Sequence, residues 1–165
     1  MSLDERFESE VMPHARALYG TAFRLTRSPQ DAEDLVQEAL LRAYRGFSSF
    51  RPGSNARAWL YTILHRVRTD MLRKRGRSPQ TTEMTDDGPA VAPRHEAVLT
   101  SGNEDVQRAL GEVPEVFRQA LLLRDVEEFS YDEIAGILGV PVGTVMSRIH
   151  RGRASLRKAL AGRVK

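Results

Sequence analysis

Apolar residues recur at Phe7, Val11, Ala15, Leu18, Ala22 and Leu25, in steps of three and four that place them on one side of an α-helix. Arg27, Ser28 and Pro29 end that helix and open another, with Ser28 suited to an N-cap, Pro29 to the first helical position and Asp31 to the first turn. The second helix carries Leu35, Val36, Ala39, Leu40, Ala43 and Phe47 as its apolar stripe. It stops before Ser48-Ser49-Phe50-Arg51-Pro52-Gly53-Ser54-Asn55, a segment with turn chemistry. A third helix turns Leu60, Ile63, Leu64, Val67 and Met71 inward and runs into the basic cluster Arg73, Lys74, Arg75 and Arg77.

From Gly76 to Asn103 the periodicity disappears, and Ser, Thr, Pro, Gly and acidic residues leave little to bury; this stretch reads as a flexible linker, with a short helical turn around Glu96 to Leu99. Four further helices follow, over Val106 to Val113, Glu115 to about Val126, Tyr131 to Leu138, and Thr144 to about Leu160. No strand pattern or repeat appears. The predicted fold is all-α: two small helical domains, residues 1–77 and 104–165, joined by the linker 78–103.

Composition narrows the function classes. A chain of 165 residues, 41% hydrophobic and 28% charged, can build small cores in water. Apolar runs fall short of the roughly 18 residues that a spanning helix needs, and the acidic start (Asp4, Glu5) is unlike a signal peptide, so a cytoplasmic location is expected. With no cysteine there is neither a disulfide framework, nor a thiolate metal site, nor a cysteine nucleophile. The net charge of +3 is unevenly spread: residues 51–77 hold eight bases and one acid, and residues 140–165 hold seven bases and no acid. Two modules, each with one basic face, suit a polyanionic partner; solvated helix ends are the plain alternative.

The C-terminal block has the most specific pattern. Ser130 and Glu133 form a capping box, Gly139 stops the short helix, and Val140-Pro141-Val142-Gly143 leads tightly into a longer one, which is a helix-turn-helix pattern. On the longer helix Val145, Ile149 and Leu156 face inward, while Thr144, Ser147, His150 and Arg151 face outward, flanked by Arg148 and Arg153. Short hydrogen-bonding groups near the start and guanidinium forks beyond suit the DNA major groove, with the flanking arginines on phosphates. A packed helical hairpin with a solvated outer face is the alternative.

In the N-terminal half the second helix leaves Asp34, Glu38, Leu41 and Arg45 outward, with Asp31 and Gln37 beside them. A leucine between carboxylates could serve a basic protein groove, or be an ordinary solvated face. Metal chemistry is disfavoured, because Glu33 projects away from Asp34 and Glu38 and no histidine converges on them. The third helix turns Thr62, His65, Arg66, Thr69 and Arg73 outward, with Trp59 and Tyr61 at the edges of the core stripe. Rings beside cations and hydroxyls suit unstacked single-stranded bases, and the loop that holds Ser49 and Asn55 could pocket a flipped base; taken alone, such rings are more often core or half-core residues.

Taken together, Asp31-Ala32-Glu33-Asp34-Leu35-Val36-Gln37-Glu38, Ala58-Trp59-Leu60-Tyr61-Thr62-Ile63-Leu64 and the run from Pro141 to Arg153 resemble bacterial extracytoplasmic-function (ECF) RNA polymerase sigma factors. The resemblance covers nearly all of the chain outside the linker. It implies sigma region 2 followed by region 4, with no region 3 or acidic N-terminal extension. It further implies that Asp31, Asp34, Gln37, Glu38 and Leu41 dock on the core polymerase, whose β′ clamp and β subunits are the expected partner. Ser49, Asn55, Trp59, Tyr61, Thr62, His65, Arg66, Thr69 and Arg73 would capture the melting −10 element, and Thr144, Ser147, Arg148, His150, Arg151 and Arg153 would read the −35 duplex. The linker would thread toward the RNA exit path. Many relatives have Asn where this chain has Arg66, which points Arg66 toward phosphate. The run from Met146 to Arg153 is most like that of members responding to thiol-oxidative stress, whose partner is often a zinc-bearing anti-sigma factor. The expected role uses no cofactor or metal and makes no bonds.

Two other classes compete. A stand-alone helix-turn-helix regulator would bind duplex DNA as a symmetric dimer without polymerase. A nucleic-acid-processing enzyme using the carboxylates of the second helix would need a divalent metal.

Overall fold

The computed structural model describes residues 1–76 and 104–162, all helix and turn, and the chain divides into two compact units, Met1–Ser78 and Pro79–Lys165. The expected linker and its helical turn at 96–99 lie outside the described residues.

Unit 1 begins with α1 (Leu3–Glu10), whose N-cap Ser2 accepts from the Glu5 amide. The single helix expected from Phe7 to Leu25 is in fact two. A 3₁₀ turn at Met12–His14 separates α1 from α2 (Ala15–Thr26), because Pro13 has no amide hydrogen to continue the α-helical ladder. Both pieces still bury the apolar stripe at Phe7, Val11, Leu18, Ala22 and Leu25, while Ala15 is only half-buried. Arg27 ends α2 in the left-handed region (φ 57°), its amide donating to the Phe23 carbonyl at 2.7 Å. The predicted start of α3 (Pro29–Gly46) is observed, with Ser28 Oγ accepting from the Asp31 amide; such a cap is worth about 1 kcal/mol.

The rest of the unit wraps around α3. Leu35, Val36, Ala39 and Ala43 are buried as expected, and Ala32 joins them, whereas Leu40 is half-buried. A 3₁₀ turn at Phe47–Ser49 leads into the loop before α4 (Ala56–Lys74). Phe50, expected in the loop, is buried: its ring stacks on Phe47 at 5.5 Å and meets Trp59 at 4.9 Å, while Phe7 meets Phe47 edge-on at 5.4 Å. This aromatic cluster ties α1 and the loop to the start of α4.

On α4 the buried arc is wider than the periodicity suggests. Leu60, Leu64 and Val67 are buried, but so are Tyr61, His65, Arg68 and Leu72, while Ile63 and Met71 are half-buried. The reason is tertiary: α4 packs on α2 as well as on α3. On the α2 side the Arg68 guanidinium donates to the Leu25 carbonyl at 3.3 Å, satisfying an acceptor at the end of α2.

Unit 2 holds α5 (Glu104–Glu112), α6 (Glu115–Asp125), α7 (Tyr131–Leu138) and α8 (Val142–Ala161). Helices α5, α6 and α7 all pack on α8. Buried Arg118 on α6 donates to the carbonyls of Leu110 and Val113, at 3.1 and 3.3 Å, and pairs with Glu115, closing the C-terminal end of α5. The capping box of α7 is present in both directions, and Gly139 takes the left-handed conformation (φ 68°) that the sharp exit demands. Helix α8 starts at Val142, two residues before the expected Thr144, with Pro141 as its N-cap.

Candidate nucleic-acid interface

The outward set expected on the last helix lies on α8. Val145, Ile149 and Leu156 are buried, and Gly152 lies between them against α6: a Cβ there would come within 3.1 Å of the Phe117 carbonyl oxygen. That close approach fixes which side of α8 faces out. Ser147 is exposed, and Thr144, Arg148, His150 and Arg151 are half-buried, so the outward set is brought together on one helix. Desolvation lowers the Arg148 pKa from its ordinary value, yet a guanidinium stays charged at neutral pH.

Two residues depart from the expected set. Arg153 does not stand free at the flank: its Nε donates to Asp125 Oδ2 at 3.0 Å and its second guanidinium nitrogen to Oδ1 at 2.6 Å. This bond raises the Arg153 pKa and commits the fork to an intramolecular partner. Met146, which the expected set omits, is 51% exposed beside Ser147. Its position off the Val145, Ile149, Leu156 stripe was the available signal.

In unit 1 the structure sorts the expected base-binding residues. Trp59, Thr62, Arg66, Thr69 and Arg73 follow one another within an arc of about 80° at about 100° per residue, with Arg66 and Arg73 exposed and the other three half-buried. Tyr61 and His65 do not belong to this face. Tyr61 is fully buried under the Arg57 guanidinium, 5.3 Å from the ring centroid, and His65 is 3% exposed. A helical projection with one packing partner puts both outward or at the edge, whereas α4 packs on two helices. Asn55 and Ser49 spend their side chains locally: Asn55 Oδ1 caps α4 through the Ala58 amide at 3.0 Å, and Ser49 Oγ donates to the Gly46 carbonyl at 2.8 Å. Thr62 likewise donates to the Ala58 carbonyl, at 2.9 Å, which leaves its methyl group and oxygen lone pairs to a ligand.

The opposite charge gathers on α3. Asp34 and Gln37 are exposed and Leu41 is 42% exposed, on the same face as half-buried Asp31 and Glu38. Asp31 meets Arg75 at 3.4 Å, and Glu38 pairs with Arg42 at 2.9 Å. Arg42 also bridges to Asp70 on α4 at 2.9 Å, and these bonds raise its pKa, the one to Asp70 most. Asp34, Gln37 and Leu41 are thus the most accessible members of the set. Among the described residues no three His, Asp or Glu side chains form a group that could hold a metal ion, and no helix is long and apolar enough to cross a membrane.

Residues 11–78 match the Sigma-70 region 2 family and residues 103–156 match Sigma-70, region 4. The chain is 36% identical over 162 residues to the ECF RNA polymerase sigma factor EcfG of Rhodopseudomonas palustris, an alignment covering 97% of this chain and 88% of that protein. The chain belongs to the ECF sigma factors. This sigma factor is also 42% identical to the ECF sigma factor SigE of Mycolicibacterium smegmatis over 155 residues, 92% of its own length and 60% of that relative's. Among solved structures it is similar to the sigma factor RpoE from Bartonella quintana, crystallised with the anti-sigma factor NepR. That likeness has a TM-score of 0.73 and 30% identity, and covers 94% of this chain and 96% of the other. It is also similar to CnrH in complex with the cytosolic domain of CnrY, with a TM-score of 0.69, 25% identity and coverage of 96% and 90%. In this sigma factor, the α3 and α4 faces therefore lie in region 2 and α8 in region 4.

Proposed function

We propose that this protein is a promoter-specificity subunit: it binds core RNA polymerase, recognises −10 and −35 elements and starts transcription, without making or breaking bonds itself. The observation that carries the reading is the stripe Trp59, Thr62, Arg66, Thr69, Arg73, which offers one ring, two hydroxyls and two exposed cations along one face of region 2. A ring can replace the stacking a base loses when it leaves the duplex, and the cations neutralise the adjoining backbone. In this assignment residues 1–77 bind polymerase, chiefly through Asp34, Gln37 and Leu41 on the β′ clamp, and trap the −10 strand. Residues 104–165 bind the −35 duplex through Thr144, Ser147, Arg148, His150 and Arg151, and residues 78–103 join the two.

Regulation by an anti-sigma factor is part of the proposal, supported by the similar sigma factor RpoE from Bartonella quintana, solved with the anti-sigma factor NepR. The proposal extends to the members that answer thiol-oxidative stress, which the run from Met146 to Arg153 resembles, with a zinc-bearing anti-sigma factor as partner and the cytoplasm as the place of action. With no cysteine of its own, the thiol chemistry would belong to that partner.

Transcription in vitro, with core polymerase and a genomic promoter pool, tests the reading. New start sites sharing two spaced elements are expected on adding the protein, and unchanged starts would overturn it. Arg151→Ala should cost about 1–3 kcal/mol at cognate promoters and relax one −35 position, as loss of a bidentate guanine contact does.

A further inference from the structure

Asp125 is an acid placed where a helix least favours one. It is the last residue of α6, beside carbonyls whose partial charge is negative, and it is 9% exposed. A carboxylate there is stable only with a cation held against it, and Arg153, 28 residues on, supplies a two-pronged one. The contact crosses from the C-terminal end of α6 to the middle of α8. Next to it Arg124 donates to the Phe129 carbonyl at 2.9 Å and lies 5.0 Å over the Tyr131 ring, fixing the turn, with Glu128 at φ 61°, that leads into α7.

Gly152 adds a second constraint at the same level. Without a side chain it lets α8 approach the Phe117 carbonyl and so selects the side of α8 that faces inward, but a contact with no directional bond does little to resist small rotations. A planar fork on a buried carboxylate does, because both of its bonds lengthen when the helix turns about its axis. On α8 His150 lies about one turn before Arg153, Ser147 nearly two turns before it, and Arg151 two positions before it. A rotation of α8 would therefore swing the whole outward set.

We propose that Arg153 is a positioning residue rather than a DNA contact: its bidentate bond to Asp125 sets the rotation of α8, and through it the base readout by Ser147, His150 and Arg151. This inference rests on the reading of α8 as the −35 helix. It makes an unusual prediction about charge. Removing the Asp125 acid should harm specific DNA binding, although deleting a negative charge from a polyanion-binding unit otherwise helps it.

The test uses holoenzyme made from core polymerase and the full-length chain, with anisotropy on a promoter fragment selected by the wild type and on the same fragment with a scrambled −35 element. Asp125→Asn and Arg153→Lys should each reduce the discrimination between the two fragments, by about tenfold for Asn, as coupled charge pairs do, and leave the salt slope unchanged. The double variant Asp125→Asn/Arg153→Gln should lose no more than Asp125→Asn alone. Melting curves confirm folding at the assay temperature, and Arg153→Lys, which keeps the charge, covers the case in which Asp125→Asn fails to fold. A phosphate-binding Arg153 gives the opposite set: Arg153→Lys near wild type, Asp125→Asn equal or tighter, and Arg153→Gln shallower in salt dependence by about 0.9. That set overturns the proposal while the wild type still selects its promoter. A wild type that selects none overturns both the proposal and the functional reading beneath it.

Discussion

His14 shows how one side chain acquires a pH response from its surroundings. It closes the 3₁₀ turn before α2, and burial, followed by the Arg57 charge, lowers its pKa from the ordinary histidine value. The folded protein therefore binds the proton less readily than the unfolded chain. Between the ordinary value near 6.5 and the depressed one, the unfolded state holds more protons, so stability declines as pH falls through that window and levels off below it. His14→Gln should remove this part of the decline, which urea titrations of both proteins at pH 7.5 and 5 would measure; parallel pH profiles would count against it. Sequence could not supply this, since Arg57 is 43 residues away. The same holds for Asp31 and Glu38, whose carboxylates the sequence places on an open face and the structure pairs with Arg75 and Arg42.

Helices were the most legible level. The Ser28 and Ser130 caps, the Gly139 stop and the four helices among the described residues of the second unit are all written in local patterns that act within one turn of chain. The misses have local or neighbour causes. Pro13 splits the first helix by removing a donor, a signal that a run of well-spaced apolar residues masked. Tyr61, His65 and Arg68 disappear into the unit because α4 has two partners, which a one-stripe projection cannot express. Gly152 is the clearest prediction at this scale. Gly152→Val places atoms against the Phe117 carbonyl and Leu121, and should lower stability by about 1–3 kcal/mol, as overpacking does. Gly143→Ala, another helical glycine but with nothing within 4 Å of its added Cβ, should instead be neutral or gain up to about 1 kcal/mol. Thermal or urea unfolding of the two variants compares them directly.

Under the proposed function the charges are divided by task, with carboxylates and a 42% exposed leucine on α3, cations on the outer stripe of α4, and an acid-free α8. Substitutions in the two units should therefore fail at different steps. Leu41→Glu should leave the melting transition nearly in place, because the side chain is already 42% exposed, and weaken core-polymerase binding by about 2 kcal/mol, as loss of an interface hot spot does; Arg151→Ala should bind polymerase normally. Gel filtration with core polymerase separates these outcomes, and equal loss in both would contradict the division. The order of helices, their caps, the two-unit plan and the family resemblance were determined by the sequence itself, since each depends on contacts within a few residues or on motifs read in order. Which charges remain available to a partner was decided only by tertiary structure. Arg153 and Asp125, Asp31 and Arg75, and Arg42 and Asp70 are 28 to 44 residues apart. Whether such groups face solvent or one another depends on how the helices cross, a property that no stretch of chain carries alone.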